Sequence, residues 1–224
     1  LLNIQVSSQF KSTRPPLNLA VVIDRSLSMS GSRLQQAKEA AAYLIDRTSS
    51  VDSLSVVFFS DRARVALPGQ VSVDKGVAKA MIRTIQPWGG TELLTGLTAG
   101  LSEIRRCRTD RSLDHLILLT DGQTYGDEQG CLALARQAGS EKVGLTLLGL
   151  GEDWNDALLD EMARIGGGAT AYVDTPSRLV EVFQRRLQEL ETVALHNLLM
   201  RLYLTEGVQM KGMYRLTPSI SWLA

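Results

Sequence analysis

The sequence is poor in cysteine and histidine and has no surplus of charge of either sign. Its 224 residues include two cysteines and two histidines, and 24 basic residues balance 24 acidic ones. A balanced chain creates no long-range field that would attract nucleic acid or an anionic membrane. Two cysteines are too few for a disulfide framework and match no metal-binding spacing. We therefore expect no nucleic-acid partner and no bridge between Cys107 and Cys131.

Long hydrophobic runs are also lacking. No stretch approaches the roughly 20 consecutive apolar residues that a membrane-spanning helix needs, so we do not expect this segment to insert into a membrane. Residues 1–10 have neither the basic start nor the apolar run of a signal peptide. Because the chain opens on Leu1 instead of methionine, we interpret it as part of a longer protein. Within that protein we expect it to be a monomeric domain. The sequence leaves its cellular compartment open.

Short apolar runs alternate with longer amphipathic segments from residue 17 onward. This alternation predicts a mostly parallel, doubly wound α/β sheet with helices on both faces. The predicted strands are Leu17–Ile23, Leu54–Phe59, Arg64–Leu67, His115–Thr120, Val143–Leu148 and Ala169–Val173. The predicted helices are Arg33–Arg47, Asp74–Ile85, Leu94–Cys107, Glu128–Ala138, Asp156–Ile165 and Pro176–Leu190.

Two local features refine this prediction. So few residues separate Arg64–Leu67 from the strand before it that only a hairpin fits, which makes it an antiparallel edge strand. Ser32 stands before the first helical run, where it is a candidate N-cap. We assign residues 15–191 to the α/β domain. Residues 1–14 and 192–224 contain strand-like runs without helices between them, and we expect them to form a small adjoining β-element.

Polar side chains with oxygen atoms follow the buried runs. Asp24, Ser26 and Ser28 come after the first strand, Thr91 lies in a Gly-Gly-Thr loop, and Asp121 follows the strand His115–Thr120. In an open parallel sheet, ligands bind beyond the carboxyl ends of the strands. We therefore expect two carboxylates and three hydroxyls to meet at one edge.

The donor types restrict the ligand. All five are oxygens, which favours a hard cation over zinc or copper. Mg2+ is our first choice, and Mn2+ and Ca2+ fit the same ligands. Two carboxylates balance a divalent charge, and the neutral hydroxyls leave the ion electrophilic, with a coordination position open for an anionic ligand.

These residues resemble the metal-ion-dependent adhesion site of von Willebrand factor type A (VWA) domains. The resemblance rests on Asp24-Arg25-Ser26-Leu27-Ser28, on Thr91 and on Asp121-Gly122, and it extends over about residues 17–190. The Gly-rich segments 148–151 and 166–168 are similar to bacterial members. The resemblance implies a Rossmann-like VWA fold and a non-catalytic domain whose cation binds a glutamate or aspartate of a partner protein. Leu27 departs from the family pattern, in which many members carry glycine.

Several alternatives stay open at this stage. Asp24, Ser26 and Ser28 could cap nearby backbone groups instead of binding a cation, and Thr91 could also cap the helix that follows it. Glu92 is a candidate extra ligand or a solvated carboxylate, and the acidic loop at 152–156 is a candidate second cation site or a solvated loop. His115 and His196 lie in apolar runs and are expected to be structural.

Other functional classes share parts of this pattern. A VWA subunit that works with an AAA+ or chelatase-type ATPase would share this fold, as would relatives of calcium-activated chloride channel regulators. A metal-dependent phosphatase-like enzyme of the haloacid dehalogenase type needs a second aspartate two residues after the first. The chain has Ser26 at that position. The nucleophile elbow of α/β-hydrolases and the dinucleotide fingerprint are both absent from the sequence.

Overall fold

Strands and helices alternate along the chain in the computed structural model, which describes residues 14–121, 124, 126–151, 155–173, 175–191, 203, 214–215 and 221–222. The main strands are β1 (Leu17–Asp24), β2 (Ser53–Phe59), β3 (Ala63–Val71), β4 (Leu113–Thr120), β5 (Gly144–Leu150) and β6 (Ala169–Val173). The helices are α1 (Ser32–Arg47), α2 (Lys75–Arg83), α3 (Leu93–Cys107), α4 (Glu128–Ser140), α5 (Asp156–Gly166) and α6 (Leu179–Glu191).

The six strands form one sheet in the order β3-β2-β1-β4-β5-β6. All neighbours are parallel except β3, which pairs antiparallel with β2. This confirms the predicted doubly wound sheet and its antiparallel edge. Strand β3 is longer than predicted because it continues through Pro68 and Gly69 to Val71. An edge strand tolerates proline, since one of its sides has no neighbour that needs the missing amide.

Helices cover both faces of the sheet, which explains the apolar strand sequences. In β1 every residue is buried, and its side chains alternate between two cores. Val21 and Ile23 pack into the core beneath α1, α2 and α6, whereas Ala20 and Val22 pack into the core beneath α3, α4 and α5. Because both of its faces are buried, β1 is a nearly continuous apolar run in the sequence, and the Asn18 side-chain amide within it donates to the Ile104 carbonyl and to Asp114 Oδ1.

The starts of α1 and α6 differ from the prediction in their local geometry. Ser32 is the first residue of α1 and not its N-cap; Gly31 holds that position with φ of +78° and contributes no side-chain cap. A left-handed backbone at that residue suits glycine. The helix predicted from Pro176 begins with a 3-10 turn, Pro176–Arg178, before α6.

The predicted terminal β-element lies largely outside the described residues. The run at 1–10 and most of residues 192–213 are among the positions not described. Within the described part, Tyr214–Arg215 (β7) and Ser221–Trp222 (β8) pair antiparallel. No helix in the described part of the chain is long and apolar enough to cross a membrane.

Candidate metal centre

Asp24 and Asp121 lie side by side where the strand order reverses. After β1 the chain first builds β2 and β3 on one side of it, and then returns to add β4, β5 and β6 on the other. Strands β1 and β4 are parallel neighbours, with Ile23 opposite Leu119. Asp24 ends β1 and Asp121 directly follows β4. The two carboxylates therefore share the crevice in which open α/β sheets bind ligands.

The Asp24 carboxylate is fully buried and hydrogen-bonded at both oxygens. Its Oδ1 accepts a hydrogen bond from the Ser26 amide at 2.7 Å, and its Oδ2 accepts one from Thr120 Oγ1 at 2.7 Å. Burial raises the pKa of Asp24 to about 6, and the negative charge of Asp121 adds to the rise, although the two hydrogen-bond donors oppose it. Ionising this carboxyl is costly, so a cation beside it would be strongly stabilising.

Two serine hydroxyls connect the loop after β1 to Asp121. Ser26 Oγ lies 2.9 Å from Ser28 Oγ, and Ser28 Oγ donates to Asp121 Oδ1 at 2.8 Å. The intervening Leu27 starts a 3-10 turn, Leu27–Met29, and is 64% exposed. The turn brings both serine hydroxyls into this hydrogen-bonded chain and turns Leu27 toward solvent, so the side chain that departs from the family pattern does not occupy the cluster.

Thr91 reaches this edge of the sheet on a loop tied to the loop after β1. The Leu27 amide donates to the Gly89 carbonyl at 3.1 Å, and the Trp88 amide donates to the Arg25 carbonyl at 2.8 Å. Gly89 has φ of +73°, and a Cβ there would lie 2.5 Å from Asp61 Oδ2. The positive φ and this close approach both favour glycine at this position. Thr91 itself is partly buried beside the start of α3, outside the hydrogen-bonded chain that joins the other four predicted ligands.

The start of α3 is capped by residues that the sequence reasoning missed. The Leu93 amide donates to Thr124 Oγ1 at 3.2 Å, and the Leu94 amide donates to Asp127 Oδ2 at 2.8 Å. Thr124 Oγ1 in turn donates to Asp127 Oδ1 at 2.6 Å. Asp127 directly precedes α4, where the sequence would suggest a cap for that helix. Its side chain instead caps α3. Thr91 does not cap the helix by its side chain; the N-cap position is held by Glu92, which is exposed.

Arg33 is a further residue that the sequence did not indicate, and it contacts the cluster directly. It lies in the first turn of α1, and its Nη1 donates to Asp121 Oδ2 at 2.5 Å and to the Ser28 carbonyl at 3.2 Å. The Asp121 side chain is fully buried, whereas that of Arg33 is 39% exposed. Each Asp121 oxygen thus has a donor of its own, one from Ser28 and one from Arg33.

Of the other predicted candidates, those that the structure describes make no hydrogen bond to this cluster. Burial lowers the pKa of His115 to about 4, so the ring is neutral, and its Nε2 lies 2.9 Å from Thr146 Oγ1. Cys107 and Cys131 are not bonded to each other. His196 and the acidic residues 152 and 153 fall outside the described residues, while Asp156 is exposed in the first turn of α5.

The donor set fits a hard cation better than a borderline metal. Among the described residues no group of three or more histidine, cysteine, aspartate or glutamate side chains could hold a metal. The candidate centre instead combines two carboxylates with serine and threonine hydroxyls. Such all-oxygen sets suit Mg2+, Mn2+ or Ca2+.

Comparison with known proteins identifies similar sequences and a matching domain family. Residues 18–186 match the von Willebrand factor type A domain. The protein sll0103 of Synechocystis is 38% identical over 186 residues, which cover 82% of this chain and 44% of that protein. The chain thus spans less than half the length of this curated relative.

Solved structures with the same fold include two that bear on the comparison. A von Willebrand factor type A protein from Catenulispora acidiphila has a TM-score of 0.82 at 22% identity, covering 93% of this chain and 50% of that one. Proximal thread matrix protein 1 of the mussel byssus was solved with zinc in its metal-ion-dependent adhesion site (MIDAS) motif. It has a TM-score of 0.64 at 21% identity, covering 77% of this chain and 47% of that one. On the family match and the shared fold, the chain belongs to the von Willebrand factor type A domain family.

Proposed function

We propose that this domain binds one divalent cation and uses it to dock an acidic residue of a partner protein. Mg2+ is the expected ion, with Mn2+ and Ca2+ as substitutes, and the proposed ligands are Asp24, Ser26, Ser28, Thr91 and Asp121. The α/β domain itself is proposed to comprise residues 15–191. The observation that carries the proposal is the pairing of two buried carboxylates with two serine hydroxyls at the switch point of the sheet.

Burial supports a cation at this place. Asp24 and Asp121 are both buried, and a buried carboxylate without a compensating positive charge is costly. Arg33 supplies only one positive charge for the two carboxylates. A divalent ion between them would restore the balance, with Asp24 and the two serines as its first contacts.

The chemistry of the donors supports docking over catalysis. The hydroxyls are neutral, so a bound divalent ion would keep enough positive character to accept a further anionic ligand. The zinc-occupied MIDAS motif named for the mussel protein shows that a protein of this fold holds a divalent ion. A carboxylate from a partner is the anion that a protein most readily provides.

Cation titration of purified protein tests the proposal. We expect Mn2+ or Mg2+ to raise the melting temperature of wild type and the Asp24→Ala variant to lose that gain. Asp46→Ala is the matched control, because Asp46 is an exposed carboxylate near the end of α1 and pairs with Lys79. Equal cation responses in wild type and Asp24→Ala would refute the cation site as proposed, because Asp24 would then not be one of its ligands.

Two further measurements test the docking role. Affinity capture with cation-loaded wild type and Asp121→Ala should recover a partner with wild type alone. Hydrolysis of a phosphate ester by wild type that is abolished in Asp24→Asn would refute a non-catalytic domain.

A further inference from the structure

We propose that Arg33 sets the charge of the metal centre, so that it weakens cation binding and strengthens binding of the carboxylate ligand. This inference rests on the proposed cation site. It concerns a residue that lies outside the Asp-x-Ser-x-Ser loop and contributes no ligand atom. Its positive charge nevertheless lies at hydrogen-bond distance from a proposed ligand, Asp121.

The contact geometry makes Arg33 an internal counterion of Asp121. Nη1 of Arg33 lies 2.5 Å from Asp121 Oδ2 and 3.2 Å from the carbonyl of Ser28. Two of the five proposed ligand residues therefore hold this guanidinium in place. Gly151, with φ of +87°, leaves room for it, because a Cβ there would lie 3.3 Å from Arg33 Nη2.

The net charge of the cluster follows from these contacts. Asp24 and Asp121 contribute two negative charges and Arg33 one positive charge, so the cluster carries −1 without a cation and +1 with a divalent cation. Without Arg33 the same states would carry −2 and zero. Arg25 and Asp61, on the loops that flank Gly89 and Gly90, have opposite charges and change this difference little.

Two opposite effects on binding follow from that difference. A cation is attracted less to a cluster of −1 than to one of −2, and it meets the guanidinium at close range. Without Arg33 the cation-loaded centre is neutral and exerts no net attraction on a carboxylate. With Arg33 the loaded centre carries +1 and attracts the carboxylate. Arg33 would therefore reduce affinity for the ion and increase affinity for the acidic ligand that the ion recruits.

The competing interpretation is that Arg33 only holds Asp121 in position behind the cation. A purely supporting residue would have the opposite effect on the ion, because its loss would let Asp121 move and the cation complex would weaken. The direction of the change in cation affinity therefore separates the two interpretations.

The test compares Arg33→Gln with Arg33→Lys and wild type. Glutamine removes the charge and keeps a polar side chain, whereas lysine keeps the charge. Arg105→Gln is the control, because Arg105 is similarly exposed (35%), pairs with Glu141 and lies near the far end of α3. Mn2+ affinity is measured by calorimetry at low ionic strength, and acetate binding to the Mn2+-loaded protein by water-proton relaxation.

We expect Arg33→Gln to bind Mn2+ about tenfold more tightly than wild type, which allows for solvent screening of a partly exposed charge. Its loaded form should bind acetate several-fold more weakly, and Arg33→Lys and Arg105→Gln should resemble wild type in both assays. A Mn2+ affinity that is unchanged or weaker in Arg33→Gln overturns the proposal, as does an unchanged acetate affinity. Failure of both wild type and Arg33→Gln to bind Mn2+ would refute the cation site itself, whereas binding by Arg33→Gln alone would support the role of Arg33.

Discussion

Replacing Asp24 with asparagine should stabilise the cation-free protein while abolishing its response to cations. The replacement is nearly isosteric, and its hydrogen bonds can be kept. The asparagine Oδ1 can accept from the Ser26 amide, and Nδ2 can donate to Thr120 Oγ1 once that hydroxyl rotates. The main change is therefore the loss of a buried negative charge.

The size of the effect follows from the pKa of Asp24. The pKa is about 6 in the folded protein against 3.8 for an unperturbed aspartate. Between these values the folded state holds more protons than the unfolded state, so the unfolding free energy falls as the pH rises from about 4 to 6. The loss reaches about 3 kcal/mol above pH 7 and is about 1 kcal/mol at pH 4.5. Asparagine cannot ionise, so the variant avoids this loss of unfolding free energy.

Urea denaturation in EDTA at pH 4.5 and pH 7.5 measures this difference. Asp24→Asn should exceed wild type by up to about 3 kcal/mol at pH 7.5, which corresponds to about 6–12 °C in melting temperature for a chain of this size. At pH 4.5 the gain should shrink to about 1 kcal/mol. Asp46→Asn, at an exposed ion pair, should show no such pH dependence. A variant that is less stable than wild type at pH 7.5 would refute the reasoning.

Three further predictions concern residues around the centre and in the cores. Asp127→Ala should lower the unfolding free energy by about 1 kcal/mol, because α3 loses a capping carboxylate; unchanged urea denaturation would contradict this. Leu27→Ala should change the unfolding free energy by at most about 0.5 kcal/mol and the Mn2+ affinity by at most about twofold, since the side chain is exposed. A large loss of Mn2+ affinity would place Leu27 in the site. In a thiol-reagent assay at pH 8, only Cys107 of the native protein should react rapidly. Cys131 is buried, and burial raises its pKa to about 12. If both thiols reacted equally fast, the core beneath α3, α4 and α5 would have to be open to solvent.

The strands and two of the carboxylates could be predicted from the sequence because their signals are local. Burial of β1 on both faces leaves a run of apolar residues, and Asp24 stands at its end. The end of β3 could not be predicted, because Pro68-Gly69 has the composition of a turn, and only the edge position of the strand allows it to continue. A serine before a helical run predicted an N-cap at Ser32. The structure instead has Gly31, with its positive φ, at the N-cap position and Ser32 inside the helix.

The residues that surround the proposed ligands were missed because their contacts are long-range. Arg33 and Asp121 are 88 positions apart, and Asp127 caps a helix that begins more than 30 positions before it. Neither side chain has a neighbour in sequence that would indicate its role. Chain topology, and not local pattern, brings them together.

The capping of α3 by Thr124 and Asp127 has a mechanical consequence. These two residues belong to the segment that follows Asp121, while α3 begins two residues after Thr91. The two loops are therefore coupled, and a displacement of either one strains hydrogen bonds to the other. Since α3 contains 15 residues, it is about 22 Å long and runs from the edge that holds the carboxylates to the opposite edge of the sheet. A displacement of α3 along its axis would therefore be carried from the carboxylate edge to the opposite edge of the sheet.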